Sequence, residues 1–251
     1  MDKRMNNSEL GELCLLAGKI MLENGAETYR VEDTMMRIAG SFGINNPNSY
    51  VTPTGIIFSL CGTEQTKLAQ ISKRTTDLYK VIIVNSISRK LSTGEISAEE
   101  AYSTLRKIEK ENLMYPIYVK VIAASILSGF SLIMFNGEWK DFFSAFLAGG
   151  AGFLCVSYLH RLVDIKFFTE FVAALIVGLV THFFKYIGFG LDLSTIIVAS
   201  IMPLVPGLLI TNAVRDLMAG HLVSGLSKGA EAVLTAFAIG AGVAIVFSLF
   251  K

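Results

Sequence analysis

Across 251 residues, 52% hydrophobic and 17% charged side chains with a mean hydropathy of +0.54 are too apolar for an ordinary water-soluble domain and too charged for a bare membrane bundle. A formal net charge of +1, with no run of Lys and Arg interleaved with aromatics, gives no field to steer nucleic acid and excludes that class of partner. Cys14, Cys61 and Cys155 are odd in number, far apart and without CxxC or Cys/His spacing, so neither a disulfide framework nor a zinc site is expected.

The first 30 residues are charged and amphipathic rather than continuously apolar, so no cleavable signal peptide is expected and the N-terminus is expected to stay in the cytosol. Leu10, Leu13, Cys14, Ala17 and Met21 recur at helical spacing. Glu23-Asn24-Gly25 then supplies a stop in which Gly25 can take a positive φ. A second amphipathic helix carries Val31, Met35, Ile38 and Phe42 on its apolar stripe and closes at Gly43. From Asn48 to Cys61 the pattern alternates, with Ile56, Phe58 and Leu60 on one face. Gly62-Thr63-Glu64 reads as a turn into Thr66 to Ser72, which makes a β-hairpin with Pro53 at an edge or a strand start. Helices over Asp77 to Leu91 and Ala98 to Glu111 follow, the latter opened by Ser97-Ala98-Glu99-Glu100.

Roughly two thirds of the charged residues precede Pro116, and the runs after it are apolar and long enough to cross a hydrocarbon layer of ~30 Å. The fold class expected is therefore an α-helical membrane protein, with about five transmembrane helices preceded by a soluble α+β N-terminal domain. Residues 1–115 form the cytosolic domain and 116–251 the transmembrane bundle, with spans near 117–135, 141–160, 167–186, 193–213 and 229–250. Arg161, Lys166, Arg215 and Lys228 outweigh Lys140 and Lys185 in the connections. That bias places the N-terminal domain inside and Lys251 outside. Small residues recur at every fourth position, as in Ser144, Ala148 and Gly152, in Ala174 and Gly178, and in Ala232, Ala236, Gly240, Ala244 and Ser248. Such ladders are expected to pack helices closely.

The segment Ile201-Met202-Pro203-Leu204-Val205-Pro206-Gly207 interrupts a run that is otherwise helical. Pro203 and Pro206 each lack the N–H a helix needs, so the fourth span is expected to be broken. Backbone freed inside a bilayer must be satisfied by protein or by a wet cavity, and such breaks commonly hold a ligand. The half-helix starting at Gly207 would aim N–H groups at a carboxylate, with Thr211, Asn212, Arg215 and Asp216 on its following turns. Pro203, Pro206, Gly207, Thr211, Asn212, Arg215 and Asp216 are thus the expected substrate-binding residues. The plainer reading is a proline kink with Arg215 and Asp216 paired at the interface. Glu170, Asp216 and Glu231 are candidate proton carriers, because ionisable groups in membranes are often functional. His182 is expected to be structural. The charged run from Glu23 to Asp33 reads first as a solvated helix face, with acid–base chemistry the sharper alternative. No GxSxG, P-loop, HExxH or dinucleotide fingerprint occurs.

Gly25-Ala26-Glu27-Thr28-Tyr29-Arg30-Val31-Glu32 resembles the N-terminal GAxxxRVE element of the threonine/serine exporter family, with Gly25, Arg30 and Glu32 as its marked positions. Pro203-Leu204-Val205-Pro206-Gly207, continuing through Asn212, Arg215, Asp216, Gly220, Ser224 and Gly225, resembles that family's second element. In order and spacing the resemblance covers nearly the whole chain. It implies secondary export of small amino acids or organic acids across the cytoplasmic (inner) membrane, without a cofactor or metal. Because this chain ends after one membrane half, it also implies a split form similar to the two-component succinate exporters, with a second small membrane subunit as partner and self-association left open. The reading taken is an amino-acid exporter subunit of threonine/serine type, coupled to protons. The alternatives are a dicarboxylate (succinate) exporter subunit and, from another class, a membrane-anchored hydrolase-like enzyme or a structural subunit.

Overall fold

The computed structural model describes residues 6–60, 66–111, 114–162, 165, 167–189 and 192–250. The expected turn at Gly62-Thr63-Glu64, together with Cys61, Lys166 and Lys251, lies outside the described residues. The chain divides into two compact units, Met1–Met114 with Ile210–Gly229, and Tyr115–Leu209 with Ala230–Lys251.

In the first unit, α1 (Asn7–Glu23) starts at a reciprocal cap. The Glu9 N–H donates to Asn6 at 2.8 Å while the Asn6 N–H donates to the Glu9 carboxylate at 2.9 Å, so two otherwise orphaned donors are satisfied. The helix stops at Asn24, and Gly25 follows with φ 91°, the left-handed conformation that a side chain would disfavour. α2 (Thr28–Ser41) buries Val31, Met35 and Ile38 against α1, whereas Phe42, expected on the same stripe, lies just beyond the helix and is 40% exposed. α3 (Leu78–Thr93) is capped by Asp77, and α4 (Ala98–Lys110) by Ser97. Leu13, Ile20, Met21, Met35, Ile38, Ile56, Phe58 and Leu105 are fully buried together, each worth about 1.5–3 kcal/mol of transfer from water.

Instead of one hairpin, the sheet is a three-stranded antiparallel meander in the order β1 (Asn48–Thr52), β2 (Gly55–Ser59), β3 (Lys67–Gln70). Val51 lies opposite Ile56, and Ile57 opposite Leu68. The long alternating run is split by a two-residue turn at Pro53-Thr54, where proline's fixed φ is useful and its missing N–H costs no ladder bond. Ile56, Phe58 and Leu60 face the core as their alternation requires.

The second unit contains α5 (Ile117–Met134), α6 (Phe142–Leu162) after a 3₁₀ turn at Trp139–Asp141, α7 (Phe168–Tyr186) and α8 (Leu193–Ile201). α9 (Gly207–Met218) and α10 (Leu222–Leu249) are each divided between the two units. Among the described residues, four helices are long and apolar enough to cross a membrane, and a fifth span is counted if the bent pair Leu193–Leu204 and Gly207–Met218 is taken as one. Close packing follows the small residues on α6 and α7. A Cβ on Gly152 would meet Val177 at 2.5 Å, and one on Gly178 would meet Val246 at 2.8 Å. On α10 the expected ladder is only partly inward. Ala232 is buried, but Ala236, Gly240, Ala244 and Ser248 are exposed, and the packed face is Thr235, Ala238, Ile239, Gly242 and Val246. Large side chains at 239 and 246 have more apolar area to bury than the alanines beside them, so they set the helix's rotation.

Candidate functional site

The interruption of the fourth span is local and has the anticipated cause. α8 tightens into a 3₁₀ turn at Met202–Leu204, Val205 becomes extended (φ −63°, ψ 130°), and α9 begins at Gly207, directly after Pro206. Pro203, Pro206 and Gly207 therefore shape the break within the second unit, while Thr211, Asn212, Arg215 and Asp216 lie beyond residue 210 in the first.

There α9 ends in a turn that reverses the chain. The Gly220 N–H donates to the Leu217 carbonyl at 3.1 Å and the His221 N–H to the Asp216 carbonyl at 2.9 Å, with Gly220 at φ 86°. α10 then rises alongside α9, and Lys228 returns to Asp216. The Lys228 ammonium donates to Asp216 Oδ2 at 2.7 Å, with side chains 5% and 0% exposed.

The other partners of Asp216 come from the start of α2. The Thr28 N–H donates to Asp216 Oδ1 at 2.9 Å, and the Thr28 hydroxyl donates to Oδ2 at 2.9 Å. A buried carboxylate with one ammonium and two further donors is compensated for its lost hydration, which an isolated one would not be. Around this centre the Asn212 amide donates to the Gly25 carbonyl at 2.9 Å, and Arg215 donates to Glu27 at 2.5 Å. Arg30 reaches the other oxygen of Glu27 at 3.1 Å. Burial alone would raise the Glu27 carboxyl, but its own backbone N–H, Arg215 and Arg30 together hold it below the usual value.

A third contact joins Glu32 to His221 at 3.8 Å, while the Val51 N–H donates to Glu32 at 3.2 Å and the Ser224 hydroxyl to the Val51 carbonyl at 3.1 Å. Burial pushes the Glu32 carboxyl up, against the pull of His221 and the Val51 N–H. The two sequence elements that carry the family resemblance thus meet in one charge-balanced network. Gly25, Arg30 and Glu32 from the first join Asn212, Arg215 and Asp216 from the second. Sequence reasoning omitted Glu27, Thr28, His221 and Lys228 as site residues. Lys228, a cation in a largely apolar helix, was a signal for a buried partner.

The remaining candidates lie elsewhere. Glu170, in the first turn of α7, accepts from Thr169 at 2.8 Å and lies 3.3 Å from His160 Nε2, in the last turn of α6. Glu231 is half-buried on α10, and its carbonyl accepts from Thr235. His182 Nδ1 is 3.0 Å from the Gly178 carbonyl, and its ring stacks on Phe250 at 4.7 Å. Among the described residues, no group of three or more His, Cys, Asp or Glu side chains could hold a metal ion.

Comparison with known proteins covers nearly the same ground. The family model described as "Putative threonine/serine exporter" matches residues 12–250. The "Probable succinate transporter subunit YjjP" of Klebsiella aerogenes is 26% identical over 249 residues, covering 95% of this chain and 93% of that protein. The Escherichia coli protein of the same description is 24% identical with the same coverage. The "Probable threonine/serine exporter" of Mycobacterium tuberculosis is 21% identical over 93% of this chain, which spans 45% of that longer protein. No solved structure matches.

Proposed function

Because the chain belongs to the threonine/serine exporter family, we propose that it works as one subunit of a secondary exporter of small carboxylates, with dicarboxylates of the succinate type ahead of threonine and serine. The observation that carries the order is similarity: the two succinate transporter subunits are 26% and 24% identical to this chain, against 21% for the threonine/serine exporter of Mycobacterium tuberculosis. This ranking reverses the lean toward amino acids that Arg215 beside Asp216 suggests in the sequence.

The network supports the same chemistry. Arg215 and Lys228 each hold a carboxylate of the protein itself, Glu27 and Asp216. A dicarboxylate needs two cationic partners, and its carboxylates can exchange with these internal ones provided Glu27 and Asp216 each take up a proton on release, so that no buried charge is stranded. Threonine or serine forms the second reading, favoured by the family model, with Asp216 or Glu27 taking the ammonium. Family membership makes the chain a component of a transporter, and Glu27, bound by two guanidinium groups, acts as an ion-pair partner. The relatives named as subunits support a second, separate membrane subunit. A position in the cytoplasmic membrane with the N-terminal unit inside is supported by Arg161, Arg215 and Lys228. The drive is the proton gradient, with Glu170, Asp216 and Glu231 as carriers.

The test is flux in sealed proteoliposomes holding the purified chain, with and without a co-expressed small membrane protein, using labelled succinate, threonine and serine. Succinate counterflow that exceeds both amino acids and requires the second protein is the expected result. Amino-acid flux without succinate flux selects the second reading. Indifference of every flux to an imposed pH gradient removes the proton coupling.

A further inference from the structure

Apart from the network, the first unit contains a polar cleft of about 470 Å³, within the ~300–1,000 Å³ range of small-molecule sites. Four elements converge on it: the last turn of α1 with Lys19, Glu23 and Asn24, the end of β3 with Gln70 and the following Ser72 and Lys73, Lys80 of α3, and Glu109 of α4. Its walls are rigid. The Thr75 N–H donates to the Glu23 carbonyl at 2.7 Å, the Asp77 N–H to the Asn24 carbonyl at 3.2 Å, and the Asn24 amide to the Ile20 carbonyl at 2.7 Å.

The charges in this cleft are unequally satisfied. Lys19 and Glu109 complete each other at 2.9 Å, with Arg106 adding a second contact to Glu109 at 3.2 Å. Lys80 is a buried residue, yet among the described residues its ammonium has only the Glu109 carbonyl, at 3.5 Å, for three donors. Among the described residues the Glu23 carboxylate pairs with Lys19 alone, at 3.9 Å, with Lys80 acting on it from beyond contact distance. One under-partnered cation and one under-partnered anion therefore line the same cleft. A lysine with its stem buried and its ammonium at the cleft wall has donors to spare there, and a ligand oxygen can accept from them.

We propose that this cleft is a binding site for a small zwitterion, its carboxylate on Lys80 and its ammonium on Glu23. An anion alone would satisfy Lys80 but face Glu23 and Glu109, and a cation alone would face Lys19, Lys73 and Lys80. Burial pushes the Glu23 carboxyl up, with Glu109 adding to it and Lys19 and Lys80 opposing, as expected of a carboxylate short of a counter-ion. Glu23 and Asn24 run directly into Gly25, whose carbonyl takes the Asn212 amide, so occupancy of the cleft also steadies the start of the network. The proposal stands apart from the transport reading.

The test is hydrogen exchange on the full chain in lipid nanodiscs, with glycine and L-serine as zwitterions and acetate and methylammonium as their separate halves. Concentrations of about 10 mM suffice for a site of ~1 mM dissociation constant. Either zwitterion is expected to slow exchange over residues 70–76 and 25–28, while the halves leave it unchanged. Lys80→Met and the isosteric Glu23→Gln should each weaken the protection about tenfold or more. Asp216→Asn should retain the protection over residues 70–76 while losing it over 25–28, where the Thr28 N–H donates to Asp216, which separates this site from the network. Acetate acting as well as glycine, or no probe protecting residues 70–76, overturns the site. Protection confined to residues 70–76 overturns its link to the network.

Discussion

Asp216 and Lys228 stand twelve residues apart in the chain and meet at 2.7 Å, both buried, with Thr28 completing the carboxylate from 188 residues away. Removing one partner strands the other charge, at a typical cost of about 3–5 kcal/mol. Asp216→Asn and Lys228→Met should each lower the thermal unfolding midpoint in detergent and abolish export. Because the penalty comes from the uncompensated charge, the double variant Asp216→Asn/Lys228→Met should recover much of the stability without recovering export. A double variant no more stable than the singles would show that the two groups do not offset one another.

Glu27 gives a pH dependence with a definite sign. Its folded value lies below the ordinary ~4.3 of an unfolded glutamate. The stabilisation is therefore present above that value and is lost only as pH falls through the lower, folded one. Hydrogen exchange over residues 25–30, short of Glu32 with its raised carboxyl, and corrected for intrinsic rates, should be flat between pH 7 and pH 5. Glu27→Gln should raise it throughout that range, because Arg215 and Arg30 lose their charged acceptor. A wild-type loosening already at pH 6 would contradict the assignment.

Much of the membrane part could be read from the sequence because length and hydropathy alone decide a span. Helices lie over the runs expected from residues 117, 141 and 167, α10 begins at Leu222 rather than near 229, and Pro203 and Pro206 mark the interruption by removing donors. The rotation of α10 was not legible, because Ala236, Gly240, Ala244 and Ser248 repeat as regularly as any packed face. The sheet showed its alternation but hid the Pro53-Thr54 turn. Asn212, Arg215 and Asp216 could be singled out as chemistry-bearing, but their partners could not. The contact of Thr28 with Asp216 spans 188 positions, and neither periodicity nor spacing encodes a meeting of that range.

Gly225 tests the turn that brings α10 beside α9. A Cβ there would meet the Leu217 side chain at 2.6 Å and the Ala213 carbonyl at 3.0 Å, and the backbone oxygen cannot step aside. Gly225→Ala should cost about 1–3 kcal/mol through overpacking and should loosen Lys228 from Asp216. Gly229→Ala, whose added carbon meets only the Ala213 methyl at 3.9 Å, should be tolerated. The pair separates crowding from helix propensity, since both substitutions raise the latter equally. Equal losses of stability at the two positions would refute the close-approach argument.

Glu170 offers the sharpest test of proton coupling, because its partners tie it to a second titratable group. It sits between the Thr169 hydroxyl, at 2.8 Å, and His160, at 3.3 Å, the histidine closing α6 and the glutamate opening α7. A proton shared by a carboxylate and an imidazole can move without either group leaving its place. If this pair carries the coupling proton, Glu170→Gln should abolish export driven by a pH gradient while leaving counterflow, which needs no net proton movement. His160→Gln should do the same. Glu231→Gln serves as the comparison, because that residue lies on a different helix and would uncouple transport only if it carried the proton itself. Loss of counterflow and driven export together in Glu170→Gln, with normal thermal stability, would make Glu170 part of the solute path rather than of the coupling.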